Sequence, residues 1–208
     1  MRWCIAMVTL LFAAACSGGL RSSAPAAQTY ILRAHAPQAP AAAQPATASL
    51  RVALPSAGPG LSTERIVIVQ PDHRMSYLQA SQWAAELPHV VAALAVERLR
   101  TTGDWTAVSD FESTLSSDYF LQITIRRFEA EYTSDAAPTV RVAFDCALGR
   151  RADHALIASF SAQGAAVASA NRVGAIVQAF EEAVNTALNE LSADSIAAVK
   201  SSQSRSNP

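Results

Sequence analysis

The stretch "DYFLQITIRRFEAEY", residues 118–132, alternates apolar and polar side chains more clearly than any other part of the 208-residue chain. Apolar side chains occupy every second position from Tyr119 to Ile125, and Gln122 and Thr124 lie between them. A period of two is typical of a β-strand that buries one face. The stretch therefore predicts a half-buried strand.

Two further strands are predicted directly after it. "TVRVAFDCALGR", residues 139–150, repeats the alternation, and "ALIASFSA", residues 155–162, follows a turn. Successive strands joined by short turns are typical of antiparallel pairing, so the three segments predict an antiparallel meander. Cys146 falls among the apolar positions of the second segment, which predicts that its thiol lies in the core.

Two helices are predicted, one before and one after this meander. "LPHVVAALAVERLRTTG" repeats apolar residues at helical spacing, with Pro88 in its first turn and Gly103 at its end. These signals predict a helix over residues 87–102. Residues 171–199 carry a continuous apolar stripe, which is typical of a long amphipathic helix.

Shorter strands are predicted at residues 49–55 and 66–69 and at "WTAVS", residues 105–109. The order of elements predicts an α+β fold, a mostly antiparallel sheet with two amphipathic helices on one face. The other face would be partly free for a partner. This domain is predicted to span residues 49–200, and residues 201–208, "SSQSRSNP", are predicted to form a disordered tail.

The chain begins with the pattern of a secretory signal peptide. Arg2 is followed by "WCIAMVTLLFAAA", an apolar run that is too short to span a bilayer comfortably because spanning takes about 20 apolar residues. We therefore predict that residues 1–15 are a signal peptide and that the protein is exported. The alternative is an N-terminal membrane helix that stays attached.

Cys16 has three possible roles: a neighbour of an ordinary cleavage site, one half of a disulfide with Cys146, or a lipid anchor. "AAAC" fits a bacterial lipobox, although Ala13 stands where a larger aliphatic residue is usual, and it also satisfies the ordinary cleavage rule. The predicted burial of Cys146 argues against the disulfide. Because Ser17 rather than aspartate follows Cys16, an anchor would favour the outer membrane.

The segment between the anchor and the domain has the composition of a tether. Residues 16–48 are rich in alanine, proline, serine and glutamine, so they bury too little apolar surface to fold alone. The exception is "TYILRA", residues 29–34, which predicts a short strand added to the sheet of the domain.

Composition and missing motifs exclude several functions. A formal net charge of −1 without a lysine or arginine cluster argues against nucleic-acid binding. No phosphate-binding loop occurs, and no G-x-S-x-G motif places a nucleophile. We therefore predict neither an enzyme nor a cofactor. The histidines are scattered without metal-ligand spacing and predict no metal site: His35, His73, His89 and His154.

Tyr77 and Trp83 are prominent aromatic residues of the predicted domain, together with Trp105. Tryptophan and tyrosine are favoured both in cores and at the centres of protein interfaces. Tyr77 and Trp83 are therefore predicted either to contact a partner or to pack in the core.

The sequence resembles the ABC-type transport auxiliary lipoprotein family over residues 28–195. The most specific likeness is in residues 77–88, where Tyr77, Trp83 and Pro88 match a tyrosine, a tryptophan and a helix-opening proline of the family. "RRFE", residues 126–129, after the alternating strand is the next best match. The best-known members are lipoproteins of the paraquat-inducible protein C type.

The resemblance implies a non-enzymatic lipoprotein of the outer membrane, anchored through Cys16. Its expected partners are an MCE-domain periplasmic protein and the inner-membrane ABC permease and ATPase that move lipids between the membranes with it. The resemblance also implies a domain similar to the N-terminal domain of the periplasmic Tol translocation protein, and in some members a homo-oligomeric ring.

The leading hypothesis is thus a lipid-anchored docking adaptor with an α+β domain. The alternative is a soluble periplasmic carrier of a lipid or other apolar ligand, which predicts a sizeable apolar cavity between the helices and the sheet. A periplasmic hydrolase is a third hypothesis, and it predicts turnover that depends on His73 or His154.

Overall fold

The computed structural model describes residues 26–35, 48–134 and 136–206. These ranges contain one mixed sheet and two helices, which confirms the α+β prediction. The helices are α1 (Leu87–Thr101) and α2 (Val173–Ser206). The strands are β1 (Gln28–Tyr30), β2 (Ser49–Val52), β3 (Ser56–Ala57), β4 (Arg65–Val69), β5 (Met75–Trp83), β6 (Ala107–Ser109), β7 (Tyr119–Glu131), β8 (Thr139–Arg150) and β9 (Leu156–Val167).

The stretch at residues 118–132 forms β7, the central strand of the sheet. β8 pairs antiparallel with it along its whole length, from Tyr119 opposite Arg150 to Glu131 opposite Thr139. β9 pairs antiparallel with β8, so the predicted meander is confirmed. On its other side β7 pairs in parallel with β2, β3 and β4 in succession.

A β-bulge between Ile125 and Arg127 interrupts the alternation of β7. Ile125 and Phe128 both lie in the core, although they are three positions apart. The extra residue of a bulge reverses which positions face the core. Arg126 and Arg127 are consecutive, yet both form ion pairs on the polar face of the sheet.

The predicted strand near residues 29–34 is present as β1, which is shorter and begins one residue earlier. It adds in parallel to β5, with Tyr30 opposite Trp83. β5 was not predicted from the sequence. Its pairing with β4 shifts register, and Ala80 has a φ of 49°. In the sequence, "MSYLQASQW" mixes apolar and polar residues at both sets of alternate positions, so it lacks the alternation that indicates a strand.

Both helices pack on one face of the sheet, as predicted. α2 lies across β8 and β9, and α1 contacts β2, β6 and α2. Gly164 on β9 permits this packing, because a Cβ atom there would lie 1.9 Å from the carbonyl oxygen of Ala183. The core also contains an aromatic stack of Phe128 on Phe180, with ring centroids 5.2 Å apart.

The helix boundaries agree with the prediction for α1 but not for α2. α1 covers all but the last of the residues predicted, and the left-handed Gly103, with a φ of 69°, follows it. α2 continues to Ser206. The prediction of a disordered tail over residues 201–208 is therefore wrong for its first six residues. The reason is burial, since Val199 and Ser202 pack inward.

Candidate functional site

The face of the sheet that the helices leave uncovered is polar. It carries Gln122 and Arg126 from β7, Asp145 from β8 and Ser161 from β9, all of them exposed. Arg126 Nε lies 3.3 Å from Asp145 Oδ2, and the Ser161 hydroxyl donates to Asp145 Oδ1 at 3.1 Å. We call this surface the open face. Its hydrogen-bonding groups are available to a polar partner.

A second network of charges lies at the far end of the open face. Arg127 Nε is 2.5 Å from Glu129 Oε1, and Arg127 Nη2 is 3.5 Å from Glu131 Oε2. Arg141 on β8 also donates to Glu131. The hydrogen bond from Arg141, together with the charge of Arg127, lowers the pKa of the Glu131 carboxyl below its usual value. The carboxylate is therefore ionised at neutral pH, and the charges of this end are largely balanced.

β9 forms an edge of the sheet, since among the described strands it pairs only with β8. The strand is twelve residues long and contains neither a charged residue nor a proline. Its outer side is covered at one point, where the Gln163 N–H donates to Glu190 Oε2 of α2 at 2.7 Å. Large exposed apolar side chains stand at its two ends, Leu156 and Val167. An uncharged edge of this length is a template for pairing with another strand.

Trp83 and Tyr77, the predicted interface residues, have different surroundings. Trp83 is 1% exposed and lies edge-on against Phe128 and Phe180, at centroid distances of 6.0 and 5.2 Å. Its interface prediction is therefore wrong for this structure, and its core interpretation applies. Tyr77 is half-buried on β5, with the Arg65 guanidinium carbon 3.7 Å from the centre of its ring. A contact of Tyr77 with a partner stays a prediction.

Of the two cysteines of the predicted mature chain, Cys16 and Cys146, the structure describes only Cys146. Cys16 lies outside the described residues. Cys146 is a buried free thiol, as its alternation predicted. Burial, with smaller effects from Asp145 and nearby acidic groups, raises the pKa of Cys146 to about 12. The thiol is therefore protonated and unreactive at neutral pH.

Residues 33–35, which follow β1, are fixed to α2 by side chains of α2 that form hydrogen bonds with their backbone. Asn185 accepts from the His35 N–H at 2.7 Å and donates to the Arg33 carbonyl at 2.9 Å. Glu181 accepts from the Arg33 N–H at 3.1 Å and lies 2.9 Å from His35 Nε2. We call residues 33–35 the strap. The strap fastens the start of the described chain to α2.

Arg98 of α1 lies beneath the strap and is 1% exposed. Its Nη2 donates to Asn185 Oδ1 at 3.1 Å, whereas Nε and Nη1 have no hydrogen-bond partner among the described residues. Sequence reasoning did not single out Arg98 or Asn185. The position of Arg98 in the sequence could have indicated its burial. Arg98 follows Val91 and Leu94 on the apolar face of the helix, where a charged residue is unusual.

The four histidines are not brought together. His73 and His154 are exposed turn residues with φ angles of 63° and 55°. No cluster of three or more metal-ligating side chains occurs in the described part of the chain. Neither described helix has the length and apolar character needed to cross a membrane.

Comparison with known proteins identifies relatives of the chain. A model of the ABC-type transport auxiliary lipoprotein component family matches residues 30–192. A solved structure from Xanthomonas campestris is 24% identical, with a TM-score of 0.78 over 86% of this chain and 99% of its own. A second, of an uncharacterized protein, is 14% identical with a TM-score of 0.63 over 81% and 98%. No curated protein matches the chain.

At these sequence identities the two solved structures show only a shared fold. The match to the family model also identifies the family. The family match begins at the last residue of β1 and ends within α2, so it includes the strands from β2 to β9 in full. It confirms the resemblance inferred from Tyr77, Trp83 and Pro88. The family consists of lipoproteins that assist transporters. Its members are therefore expected in the cell envelope, and the family is not a family of enzymes. The chain belongs to the family of ABC-type transport auxiliary lipoprotein components.

Proposed function

We propose that this protein is an outer-membrane-anchored docking adaptor of an ABC/MCE-type intermembrane lipid transport system. Acyl chains on Cys16 would hold it at the periplasmic face of the outer membrane, and the described domain would bind the MCE-domain protein that works with the inner-membrane permease and ATPase. Membership of the transport auxiliary family supports the class of partner. The leader and the "AAAC" sequence support the anchor.

The observation that carries the docking role is the free edge of β9. Alternate residues of this twelve-residue strand bond to β8, so about half of them present backbone N–H and C=O groups at the free edge, where Glu190 covers the N–H of Gln163. A partner strand that adds to such an edge gains a ladder of main-chain hydrogen bonds, and the neighbouring side chains give specificity. The polar open face beside β9 would supply those side-chain contacts.

Docking is tested by a charge placed on this edge. Ala165 is exposed, and the neighbouring Gln163 N–H points away from β8, so the backbone of Ala165 points the same way. Ala165→Lys is expected to abolish co-purification with the MCE protein, because lysine on an edge strand blocks pairing. Ala93→Lys, on the exposed face of α1, is the matched control and should bind like the parent chain. Unchanged binding by Ala165→Lys would refute β9 as the docking edge.

The anchor is tested separately by mass spectrometry and fractionation. The mature N-terminal peptide should begin at Cys16 with a diacylglyceryl modification, and the protein should partition with outer membranes. Cys16→Ser should leave the protein in the soluble periplasmic fraction. An unmodified Cys16 in the parent chain would refute the anchor, and co-sedimentation with inner membranes would refute the outer-membrane location.

The alternative, a soluble lipid carrier, needs an apolar cavity between the helices and the sheet. The contact of Gly164 with Ala183 shows instead that α2 packs directly on the backbone of β9. Phe128 and Phe180 fill the space beside it. No contact in this layer favours the carrier over the adaptor.

A further inference from the structure

A cleft of about 570 Å³ opens at the end of the sheet where β2 and β7 begin and β8 ends. This volume is within the range of small-molecule sites, roughly 300–1,000 Å³. The last turn of α2 contributes Gln203 to its wall, which is why the continuation of this helix matters. The polar lining residues are Ser49, Ser116, Ser117, Asp118, Arg150, Arg151 and Gln203.

One wall of the cleft carries an ionised carboxylate with a free oxygen. Asp118 Oδ2 accepts hydrogen bonds from the Ser49 N–H at 2.8 Å and the Ser49 hydroxyl at 2.7 Å. The hydroxyl bond is the larger of these two influences, and together they lower the pKa of Asp118 below its usual value. No described residue hydrogen-bonds Oδ1. This oxygen can therefore accept from a ligand without loss of the Ser49 contacts.

A cation without an acidic partner among the described residues, Arg151, lines the same cleft. The Arg151 N–H donates to the Asp118 carbonyl at 2.9 Å, so the two residues are neighbours. The Arg151 side chain is exposed and forms no ion pair with Asp118 or with any other described carboxylate. Arg150, by contrast, is paired with Asp153 at 3.3 Å. Judged by the residues that the structure describes, the cleft thus holds one free positive and one free negative group.

A buried hydroxyl in the lining is also unpartnered. Ser117 is 8% exposed, and its Oγ has no hydrogen-bond partner among the described residues. A buried polar atom without a partner costs free energy that a bound polar group would recover. Ser117 precedes Asp118 directly and is one of the residues that line the cleft.

We propose that this cleft binds a small zwitterion, with the ammonium group at Asp118 and the phosphate or carboxylate group at Arg151. A simple anion would be repelled by Asp118, and a simple cation by Arg151. A molecule that carries both charges satisfies both side chains, and Gln203 in the wall supplies an amide for its remaining polar atoms. Charge-assisted hydrogen bonds at two points also fix its orientation.

Two sources supply this chemistry: a free zwitterion, such as a dipeptide or O-phosphoethanolamine, and the headgroup of an ethanolamine phospholipid at a membrane surface. The cleft needs N–H donors on the ammonium group, so a quaternary choline group should bind less well. This difference separates a specific site from general attraction to a polar surface.

Calorimetric titration of the purified full chain tests the proposal. O-phosphoethanolamine should bind at least about tenfold more tightly than inorganic phosphate or ethanolamine alone, because each of these satisfies one charge. Arg151→Gln and Asp118→Asn should each weaken its binding about tenfold or more. Arg151→Lys keeps the charge and should lose less. Arg126→Gln removes a cation from the open face, away from the cleft, and should have no effect.

Asparagine at position 118 keeps an oxygen for both Ser49 donors, and thermal melting checks that the variant is folded. If it is unfolded, Arg151→Gln decides, because the Arg151 side chain has no ion-pair partner to lose within the described part of the chain. Equal affinity for phosphate and O-phosphoethanolamine, or binding that Arg151→Gln leaves unchanged, would overturn the proposal. So would a lack of binding by both O-phosphoethanolamine and glycylglycine.

The source is identified with the Cys16→Ser chain, in which the predicted acylation site is absent. Co-sedimentation with phosphatidylethanolamine vesicles, in excess over phosphatidylcholine vesicles and lost in Arg151→Gln, supports the headgroup. Binding of O-phosphoethanolamine or glycylglycine without vesicle binding supports a free zwitterion. Because no MCE protein is present, these results do not depend on the proposed docking role.

Discussion

Replacement of Arg98 by methionine is expected to stabilise the domain. The Arg98 guanidinium is buried, makes one hydrogen bond, to Asn185, and has no described carboxylate within ion-pair distance. Burial lowers the pKa of Arg98, because a low-dielectric environment disfavours the charged form. Methionine keeps an unbranched apolar stem at this position and removes the charge.

The magnitude follows from three opposing contributions. Each buried donor without a partner costs about 1–3 kcal/mol, and Arg98 has two such nitrogen atoms, Nε and Nη1. Loss of the bond to Asn185 removes about 1.5–3 kcal/mol. The shorter side chain leaves a small void that costs about 1 kcal/mol. At the midpoints of these ranges, relief of the two unpaired nitrogen atoms contributes about 4 kcal/mol and the two losses remove about 3 kcal/mol. We therefore expect a net gain of about 1 kcal/mol, in the direction in which buried charges are replaced favourably by apolar residues.

The assay is urea unfolding of the parent and variant chains, followed by circular dichroism. Arg100→Met on the same helix is the control, because its Nε bonds to the Val108 carbonyl and its side chain is exposed. This control should lose about 0.5–1.5 kcal/mol. A loss of about 2 kcal/mol or more in Arg98→Met would refute the reasoning, since it would mean that water or an anion satisfies the guanidinium in solution.

Three further predictions concern packing, reactivity and pH. Gly164→Ala should lower the free energy of unfolding by at least about 2 kcal/mol through its clash with Ala183, whereas Gly174→Ala in α2 should not; equal melting temperatures would contradict this. Cys146 should resist a thiol reagent at about pH 8 until urea unfolds the chain, because its pKa is about 12; mass spectrometry that finds native labelling would show that the thiol is accessible. The pKa of Glu131 is lower in the folded chain than its usual 4.5, so its stabilising effect is present above that pH and is lost as the pH falls through the folded value. Glu131→Gln should therefore destabilise the chain in urea unfolding at pH 7, and this loss should shrink as the pH falls below 4.5; a loss that is as large in acid as at pH 7 would argue against the ionic interaction.

The meander could be predicted because its information is local. Alternation along residues 118–132 and 139–150 specifies strands with one buried face, and the turns between strands set their order. The bulge at Arg126 was not predictable, since a single extra residue leaves the composition of the strand unchanged. The two consecutive arginines of "RRFE" are visible in the sequence. That both point outward is known only from the pairing of β7 with β8.

The polar sites depend on contacts between residues that are far apart in sequence, and this explains why they were missed. Arg98 and Asn185 are 87 positions apart, and the strap reaches α2 across about 150 positions. Arg151 and Asp118 meet through the β7–β8 pairing, and Gln203 joins them through the unexpected last turn of α2. Local periodicity does not show which distant residues will contact each other, nor how far a helix continues beyond its apolar stripe.

The attachment of β1 has a mechanical consequence for an anchored protein. A pull on the residues before Gln28 acts along β1, whose hydrogen bonds to β5 run across the strand direction. The ladder is therefore loaded in shear, with its bonds sharing the force, rather than opened one bond at a time. Behind it, Glu181 and Asn185 hold the strap and take up any load that β1 passes on. If a partner holds the β9 edge, a pull from the membrane is therefore transmitted across the sheet and α2, from β1 to β9 at the opposite side of the sheet.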